Sequence, residues 1–125
     1  MQPLLLVTIG GAIGSAARYL TGRAALALLG PAYPWSGTLT VNLAGGFAMG
    51  VLAGVLARSG GSEQWRLLLG VGVLGGFTTF SAFSLDIVTL AERGALATAL
   101  AYALVSVVGA VLALFAGLSI VRAVA

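Results

Sequence analysis

One decapeptide, GGFTTFSAFS at residues 75–84, decides how this chain folds. It combines glycine, hydroxyl and phenylalanine residues and lacks the continuous apolar character of a spanning helix, yet apolar sequence flanks it on both sides. Irregular backbone at membrane depth is tolerated only where it is buried in protein or lines a watery cavity. The decapeptide therefore predicts a polar break in a transmembrane helix, which is where ion and substrate pathways are usually built.

The composition of the whole chain indicates an integral membrane protein. Of the 125 residues, 60% are hydrophobic and 7% are charged, and the mean hydropathy is +1.13. A soluble domain carries about 25% charged residues. Six arginines against three acids give a net charge of +3, but these arginines are scattered along the chain. We therefore expect no nucleic-acid partner.

The inventory of reactive side chains argues against an enzyme. The chain has no Cys and no His, which excludes disulfides, thiol nucleophiles and the usual transition-metal ligands. Its acids are Glu63, Asp86 and Glu92. They leave little material for carboxylate-pair hydrolysis or for a magnesium site.

Four apolar segments are each long enough to cross a bilayer, which needs roughly 20 apolar residues. They cover about residues 4–29, 35–57, 67–91 and 96–121, and the decapeptide lies in the third. The linkers between them are short, so we predict one four-helix transmembrane domain over residues 1–125. The chain begins without a charged region, and we interpret the first segment as a retained helix rather than a cleaved signal.

The arginines divide evenly between the two ends of this bundle. An even number of spans places both chain termini on one side of the membrane. The two sets are Arg58, Arg66 and Arg122 on that side and Arg18, Arg23 and Arg93 on the other. The positive-inside rule needs an imbalance to fix orientation. The tie reflects either insertion in both orientations, with an antiparallel homodimer as the working unit, or chance among few charges.

Small residues recur every four positions along the spans. The clearest stripes are Gly46, Gly50 and Gly54 on the second span and Gly109, Ala113 and Gly117 on the fourth. Such stripes let helix backbones approach closely in lipid. They fit packing within one subunit as well as packing between subunits, and they indicate a tight bundle in either case.

Asn42 lies well inside the second span, and Thr38 lies one turn earlier on the same helical face. The amide offers two donor hydrogens and an acceptor oxygen, and leaving them unsatisfied in hydrocarbon costs several kcal/mol. Asn42 is therefore either a contact between helices or a donor that lines a pore.

Aromatic and hydroxyl side chains extend this polar set. Phe80 and Phe83 share a face on a helical turn, with Ser81 beside them, and Tyr102 and Ser106 form an i, i+4 pair on the fourth span. A Phe pair is most often core filler, but hydroxyl neighbours weaken that interpretation. Ring edges carry partial positive charge, so they can face an anion together with amide and hydroxyl donors.

Arg18 is the strong charge that lies nearest to membrane depth. It either extends its guanidinium to the lipid head groups or draws anions toward a pore mouth.

The first two spans hold no acid, so Asp86 is the sole candidate for proton coupling. Two alternatives to a channel stay open: a small proton-coupled exporter of the four-helix dual-topology type, and an assembly subunit of a larger membrane complex.

Three stretches in order resemble the signature sequences of the Fluc/CrcB fluoride channels. They are GGAIGSAARY at residues 10–19, GTLTVN at residues 37–42 and the decapeptide at residues 75–84. The resemblance covers the whole chain, including its length and four-span plan. It implies an all-α protein of the bacterial plasma (inner) membrane that assembles in lipid as an antiparallel, dual-topology homodimer with two pores and exports fluoride passively from the cytoplasm.

The resemblance also implies roles for individual residues. The fluoride pathway would be formed by Asn42, Phe80, Phe83, Thr38, Ser81, Tyr102 and Ser106, with Arg18 near its aqueous vestibule. A structural sodium ion at the dimer centre would be bound by the backbone carbonyls of Gly75 and Thr78. Carbonyl oxygens suit such a hard cation.

This sequence departs from the family pattern at three positions. Ala82 stands where the family commonly has a hydroxyl, Ala110 supplies no hydroxyl one turn beyond Ser106, and Asp86 stands where a Glu is usual. We expect these departures to change rate or gating and to leave the functional class unchanged.

Overall fold

The computed structural model describes residues 2–124, and within that range it contains helices and no strands. Among the described residues, four helical stretches are long and apolar enough to cross a membrane. They are Pro3–Leu29, Ser36–Arg58, Glu63–Glu92 and Leu96–Ala123. The prediction of an all-α protein with four spans is confirmed.

The third stretch is divided into several helical elements. The full order is α1 (Pro3–Leu29), α2 (Ser36–Arg58), α3 (Glu63–Trp65), a π-helix (Arg66–Leu74), α4 (Gly75–Phe77), α5 (Ser81–Glu92) and α6 (Leu96–Ala123). Residues 78–80, named here the α4–α5 segment, connect two of these elements. Thr78 in that segment has an extended backbone, with φ −83° and ψ 159°.

Local sequence accounts for where the helices begin and end. Pro3 begins α1 at a position where a backbone N–H has no partner inside the helix. Gly30 ends α1 with a φ of +78°, a conformation that favours glycine, and Pro31 follows it. The hydroxyl of Ser62 accepts a hydrogen bond from the Trp65 N–H at 3.4 Å and caps the start of α3.

The glycine stripe of α2 packs against α6 within the same chain. A Cβ added at Gly50 would lie 2.0 Å from the Leu114 carbonyl oxygen, and one at Gly46 would lie 2.8 Å from that of Ala110. On the opposite side of this contact, a Cβ at Gly117 would lie 2.3 Å from the Phe47 oxygen. These stripes therefore serve close packing of two helices inside one subunit.

A second backbone-to-backbone contact joins α1 to the π-helix. A Cβ added at Gly14 would lie 2.0 Å from the Val73 carbonyl oxygen, and one at Gly10 would lie 2.4 Å from that of Leu68. The π-helix ends with the Gly75 N–H donating to the carbonyl of Gly70, five residues earlier. The π-helix of the third span therefore packs directly against the glycines of α1.

The side chains buried within the chain are few and lie mainly between α5 and α6. Phe83, Leu90, Ala99 and Tyr102 form this core, and Trp35 packs against it. Most large apolar side chains on the outer helix faces are exposed. In a bilayer, lipid tails solvate such faces, so a membrane protein needs no larger core.

Candidate functional site

Asn42 holds the backbone of the α4–α5 segment with both ends of its amide. Its Nδ2 donates to the carbonyl oxygen of Thr79 at 2.9 Å, and its Oδ1 accepts from the Thr79 N–H at 2.8 Å. This pairing fixes which way the amide points, because each end has a partner of the opposite kind. It uses one of the two Nδ2 hydrogens and leaves the second available to a ligand.

The same contacts free two carbonyls from the helical hydrogen-bond pattern. In a continuous helix the Thr79 N–H would donate to the Gly75 carbonyl, but here it donates to Asn42. The Ala82 N–H would likewise donate to the Thr78 carbonyl, but it donates to the Thr79 hydroxyl at 3.2 Å. The Gly75 and Thr78 carbonyl oxygens therefore do not accept the hydrogen bonds that a continuous helix would provide.

A groove of about 550 Å³ lies between α2, α6 and the α4–α5 segment. Six predicted site residues line it: Asn42, Gly75, Thr78, Phe80, Phe83 and Ser106. The rings of Phe80 and Phe83 are 5.4 Å apart and tilted by 51°. Phe80 is 75% exposed in the single chain, so this first groove is open on the side of that ring. Ala110, which supplies no hydroxyl one turn beyond Ser106, also lines the groove.

Ser106 brings a hydroxyl to the first groove that has no hydrogen-bond partner among the described residues. Its side chain is buried, and its Oγ is unsatisfied within residues 2–124. A buried hydroxyl is normally paired. Because Ser106 also lines the groove, its hydroxyl is a donor without a partner among the described residues, beside the space that Asn42 lines.

A second groove, of about 330 Å³, lies on the other side of the Asn42–Thr79 contact. Arg18 and Thr38 are the two predicted residues that line it, and Ala82, a departure from the family pattern, lies there too. Thr79 lines both grooves. The predicted pathway is therefore divided in the single chain, with the Asn42–Thr79 contact as the wall between its two parts.

Arg18 contacts the backbone just before the α4–α5 segment. Its Nε donates to the carbonyl oxygen of Gly76 at 3.1 Å. Within residues 2–124 the one ion pair joins Arg66 to Glu63, so no carboxylate neutralises Arg18 there. Arg18 is half-buried, and it lines the second groove.

Ser81 and Tyr102 are the predicted residues that line neither groove in the described chain. Tyr102 is buried and its hydroxyl donates to Asp86 Oδ2 at 2.9 Å, while its ring packs against that of Phe83 at 5.3 Å. Tyr102 thus supports the Phe83 ring from behind. Ser81 is exposed, and its hydroxyl lies 3.3 Å from the Thr79 hydroxyl.

Two residues near this site were not singled out from the sequence. Thr79 bonds to Asn42 through its backbone and to the Ala82 N–H through its hydroxyl, although the decapeptide alone gave it no role. Trp35 packs on Tyr102 with ring centroids 5.6 Å apart. Its position just before the GTLTVN stretch was the available signal, but an aromatic residue near a span end is equally typical of an interfacial anchor.

Comparison with known proteins identifies the family of this chain. Residues 5–118 match the model of the family described as CrcB-like protein, Camphor Resistance (CrcB). Relatives called fluoride-specific ion channel FluC are 57% identical in Mesorhizobium japonicum and 60% identical in Phenylobacterium zucineum, with 98% or more of this chain and 98% of each relative covered. A third, from Novosphingobium aromaticivorans, is 56% identical over the full length of both chains.

These matches extend far beyond the short signature stretches and run through all four spans. Together with four helices that are long and apolar enough to cross a bilayer, they indicate a multi-pass bacterial membrane protein. The chain belongs to the CrcB family.

Proposed function

We propose that this protein is a fluoride-selective ion channel that exports fluoride passively from the cytoplasm across the bacterial plasma membrane and so reduces its toxicity. The observation that carries the proposal is the first groove, which Asn42, Ser106 and the Phe80–Phe83 pair line together. Relatives of this chain at 54–60% identity are called fluoride-specific ion channels, which supports the same conclusion.

The residues of the groove would replace the water that a small anion loses on entry. The second Nδ2 hydrogen of Asn42 and the hydroxyl of Ser106 are donors, and the edges of Phe80 and Phe83 add weak positive partners. Such partners bind an anion strongly enough to dehydrate it and weakly enough to release it. The membrane potential contributes about 2.3 kcal/mol per charge per 100 mV and favours exit of an anion from a cell that is negative inside.

The working unit in this proposal is an antiparallel homodimer embedded in lipid. The first groove is open on the side of Phe80, so a second copy of the chain would close it. The even division of arginines between the two ends of the bundle favours insertion in both orientations. Cross-linking of single cysteines placed on this face tests the arrangement, because the natural chain has none.

In the same proposal the α4–α5 segment is a functional break in the third span that binds a structural sodium ion. The Gly75 and Thr78 carbonyls are the groups released from the helix, and carbonyl oxygens are suitable ligands for a hard cation. These residues line the open groove, so two copies would bring four such oxygens to one centre. Replacing sodium with a large organic cation is expected to slow fluoride transport.

Fluoride efflux from liposomes that hold the purified protein alone tests the proposed function. We expect rapid fluoride release that needs no proton gradient, with no release from chloride-loaded liposomes. Phe80→Ile removes a ring that lines the groove and is expected to abolish efflux. Phe115→Ile is the matched control, since Phe115 is exposed on α6 and lies outside both grooves.

Each outcome discriminates among the functions considered from the sequence. Efflux that requires an opposing proton gradient would indicate a coupled exporter using Asp86. Absence of fluoride movement from a folded wild-type protein would contradict a self-sufficient channel. Efflux in both Phe variants at the wild-type rate would place the pathway away from Phe80.

A further inference from the structure

We propose that Arg18 is a positioning residue, which fixes the backbone before the α4–α5 segment through its Nε, in addition to carrying charge. The guanidinium Nε donates to the Gly76 carbonyl oxygen at 3.1 Å across 58 residues of sequence. In a continuous helix that carbonyl would accept from the Phe80 N–H. Arg18 thus supplies a donor that the interrupted helix no longer provides.

The face of α1 that carries Arg18 is built for this contact. Gly14 and Arg18 are spaced i, i+4, so they share one side of the helix. A Cβ added at Gly14 would lie 2.9 Å from the Phe77 nitrogen, and one added at Gly76 would lie 2.7 Å from the Gly11 carbonyl oxygen. The glycines bring the two backbones into contact, and Arg18 lies one to two turns further on, beside Gly76.

Arg18 and Asn42 act on neighbouring peptide groups of the same stretch. Arg18 holds the Gly76 carbonyl, and Asn42 holds both backbone groups of Thr79. The Gly75 and Thr78 carbonyls, released from the helix, each directly precede one of these two positions. Two side chains from two different helices therefore determine which carbonyls are tied and which stay free.

The donor atom makes this role separable from the charge of Arg18. The amide nitrogen of Gln is the same number of bonds from Cα as the Nε of Arg, so Arg18→Gln can retain the hydrogen bond without the charge. Lys keeps the charge but places its nitrogen one bond further out. Met has the length of the Gln side chain but no donor, so it removes both properties.

The test is fluoride efflux for these three variants, and it rests on the proposed channel function. We expect Arg18→Gln to transport roughly fivefold faster than Arg18→Met, and no slower than Arg18→Lys, because one hydrogen bond between uncharged groups is worth about that factor. Equal rates for Gln and Met would overturn the proposal. A Lys variant faster than the Gln variant would overturn it too, because charge alone would then be sufficient.

Arg23 provides the matched control. It lines the same groove on the same helix, but its Nη1 donates to the Tyr19 hydroxyl at 3.3 Å rather than to a backbone carbonyl. Substituting Arg23 with Gln and with Met is expected to give equal efflux rates. A Gln–Met difference at Arg23 as large as that at Arg18 would contradict a role specific to the Gly76 contact.

Amide hydrogen exchange of the peptide covering residues 74–84 provides a readout independent of transport. Protection is expected to be similar in wild type and Arg18→Gln and weaker in Arg18→Lys and Arg18→Met; any other order overturns the proposal. This measurement still decides if Arg18→Met does not fold, because the Gln and Lys variants remain to be compared. A wild-type protein that moves no fluoride would contradict the channel proposal, and the exchange data would test the role of Arg18 separately.

Discussion

Two regions of the molecule pack in opposite ways. The first region is the α2–α6 contact, and the second region is the contact of α1 and α2 with residues 75–82. Between α2 and α6 the helices are regular, and close approach requires only small residues such as Gly50 and Gly117. Residues 78–80 lie outside the helices, and the side chains of Arg18, Asn42 and Thr79 bond to backbone groups around them. The first region provides rigidity, and the second exposes polar atoms at membrane depth.

The difference shows where an ion-binding site can form in a membrane protein. A continuous helix satisfies its own N–H and C=O groups and leaves none for a ligand. An interruption releases several of these groups, and each one that side chains do not satisfy is available to an ion. Here the side chains of three residues satisfy four groups, and the Gly75 and Thr78 carbonyls are among the groups that they leave unsatisfied.

The largest effect is expected from Asn42→Leu, which breaks the second region. The substitution leaves the N–H and carbonyl of Thr79 unpaired, at a cost of about 2–4 kcal/mol in the free energy of unfolding. It also removes a donor from the first groove, so fluoride efflux should fall by roughly 100-fold or more. Thermal unfolding in detergent and liposome efflux measure the two effects.

Thr40→Val is the control for Asn42→Leu. It also replaces a polar side chain on α2 with an apolar one, but the Thr40 hydroxyl only donates to the Ser36 carbonyl within the same helix, at 2.8 Å. We expect a change within about 0.5 kcal/mol, as for most substitutions away from special features. Equal destabilisation by the two substitutions would show that the Asn42–Thr79 contact contributes nothing particular.

A smaller effect, on stability alone, is expected from Gly50→Ala in the first region. The added methyl group would meet the Leu114 carbonyl oxygen at 2.0 Å, so α2 and α6 must separate, at about 1–3 kcal/mol. Gly11→Ala is the matched change, because nothing lies within 4 Å of a Cβ there, and Ala favours the helix by about 1 kcal/mol. Gly11→Ala should therefore raise the unfolding temperature while Gly50→Ala lowers it.

The sequence predicted the regular region more completely than the interrupted one, for a physical reason. Span number followed from hydropathy and length, and the stripe containing Gly50 predicted close packing, because both depend on local periodicity. The partners of Arg18 and Asn42 lie 58 and 37 residues away along the chain, and no local pattern reports them. The sequence left open whether Asn42 forms a contact between helices or lines a pore. The structure shows a contact between helices that leaves one Nδ2 hydrogen free for a ligand.

Other details depended on the three-dimensional arrangement in the same way. The decapeptide gave no sign that Thr79 would pair with Asn42 and line both grooves. The π-helix before it had no sequence signal either. Glycines at residues 70, 72 and 75 are compatible with many backbone geometries, and the close contact with α1 selects among them.

A still smaller effect is expected where the second region meets the core, at Tyr102. Tyr102→Phe keeps the ring contact with Phe83 but removes the hydrogen bond to Asp86, for a loss of about 1 kcal/mol in unfolding free energy. Tyr19→Phe is the control, since the Tyr19 hydroxyl accepts from Arg23 at an exposed site. Slower efflux in Tyr102→Phe at unchanged stability would show that this hydroxyl serves the pathway directly.

The smallest effect on stability is expected from Ser106→Ala, which separates function from folding within the second region. The Ser106 hydroxyl is buried without a partner in the described chain, so removing it costs no hydrogen bond, and stability should stay equal or rise by up to about 1 kcal/mol. Efflux should nevertheless fall, because the groove loses one of its free donors. Ser119→Ala, at an exposed position on the same helix, should change neither quantity. A Ser106→Ala protein that is less stable than wild type would instead show that this hydroxyl bonds to another group in the assembled protein, and its role as a free donor for the ion would be wrong.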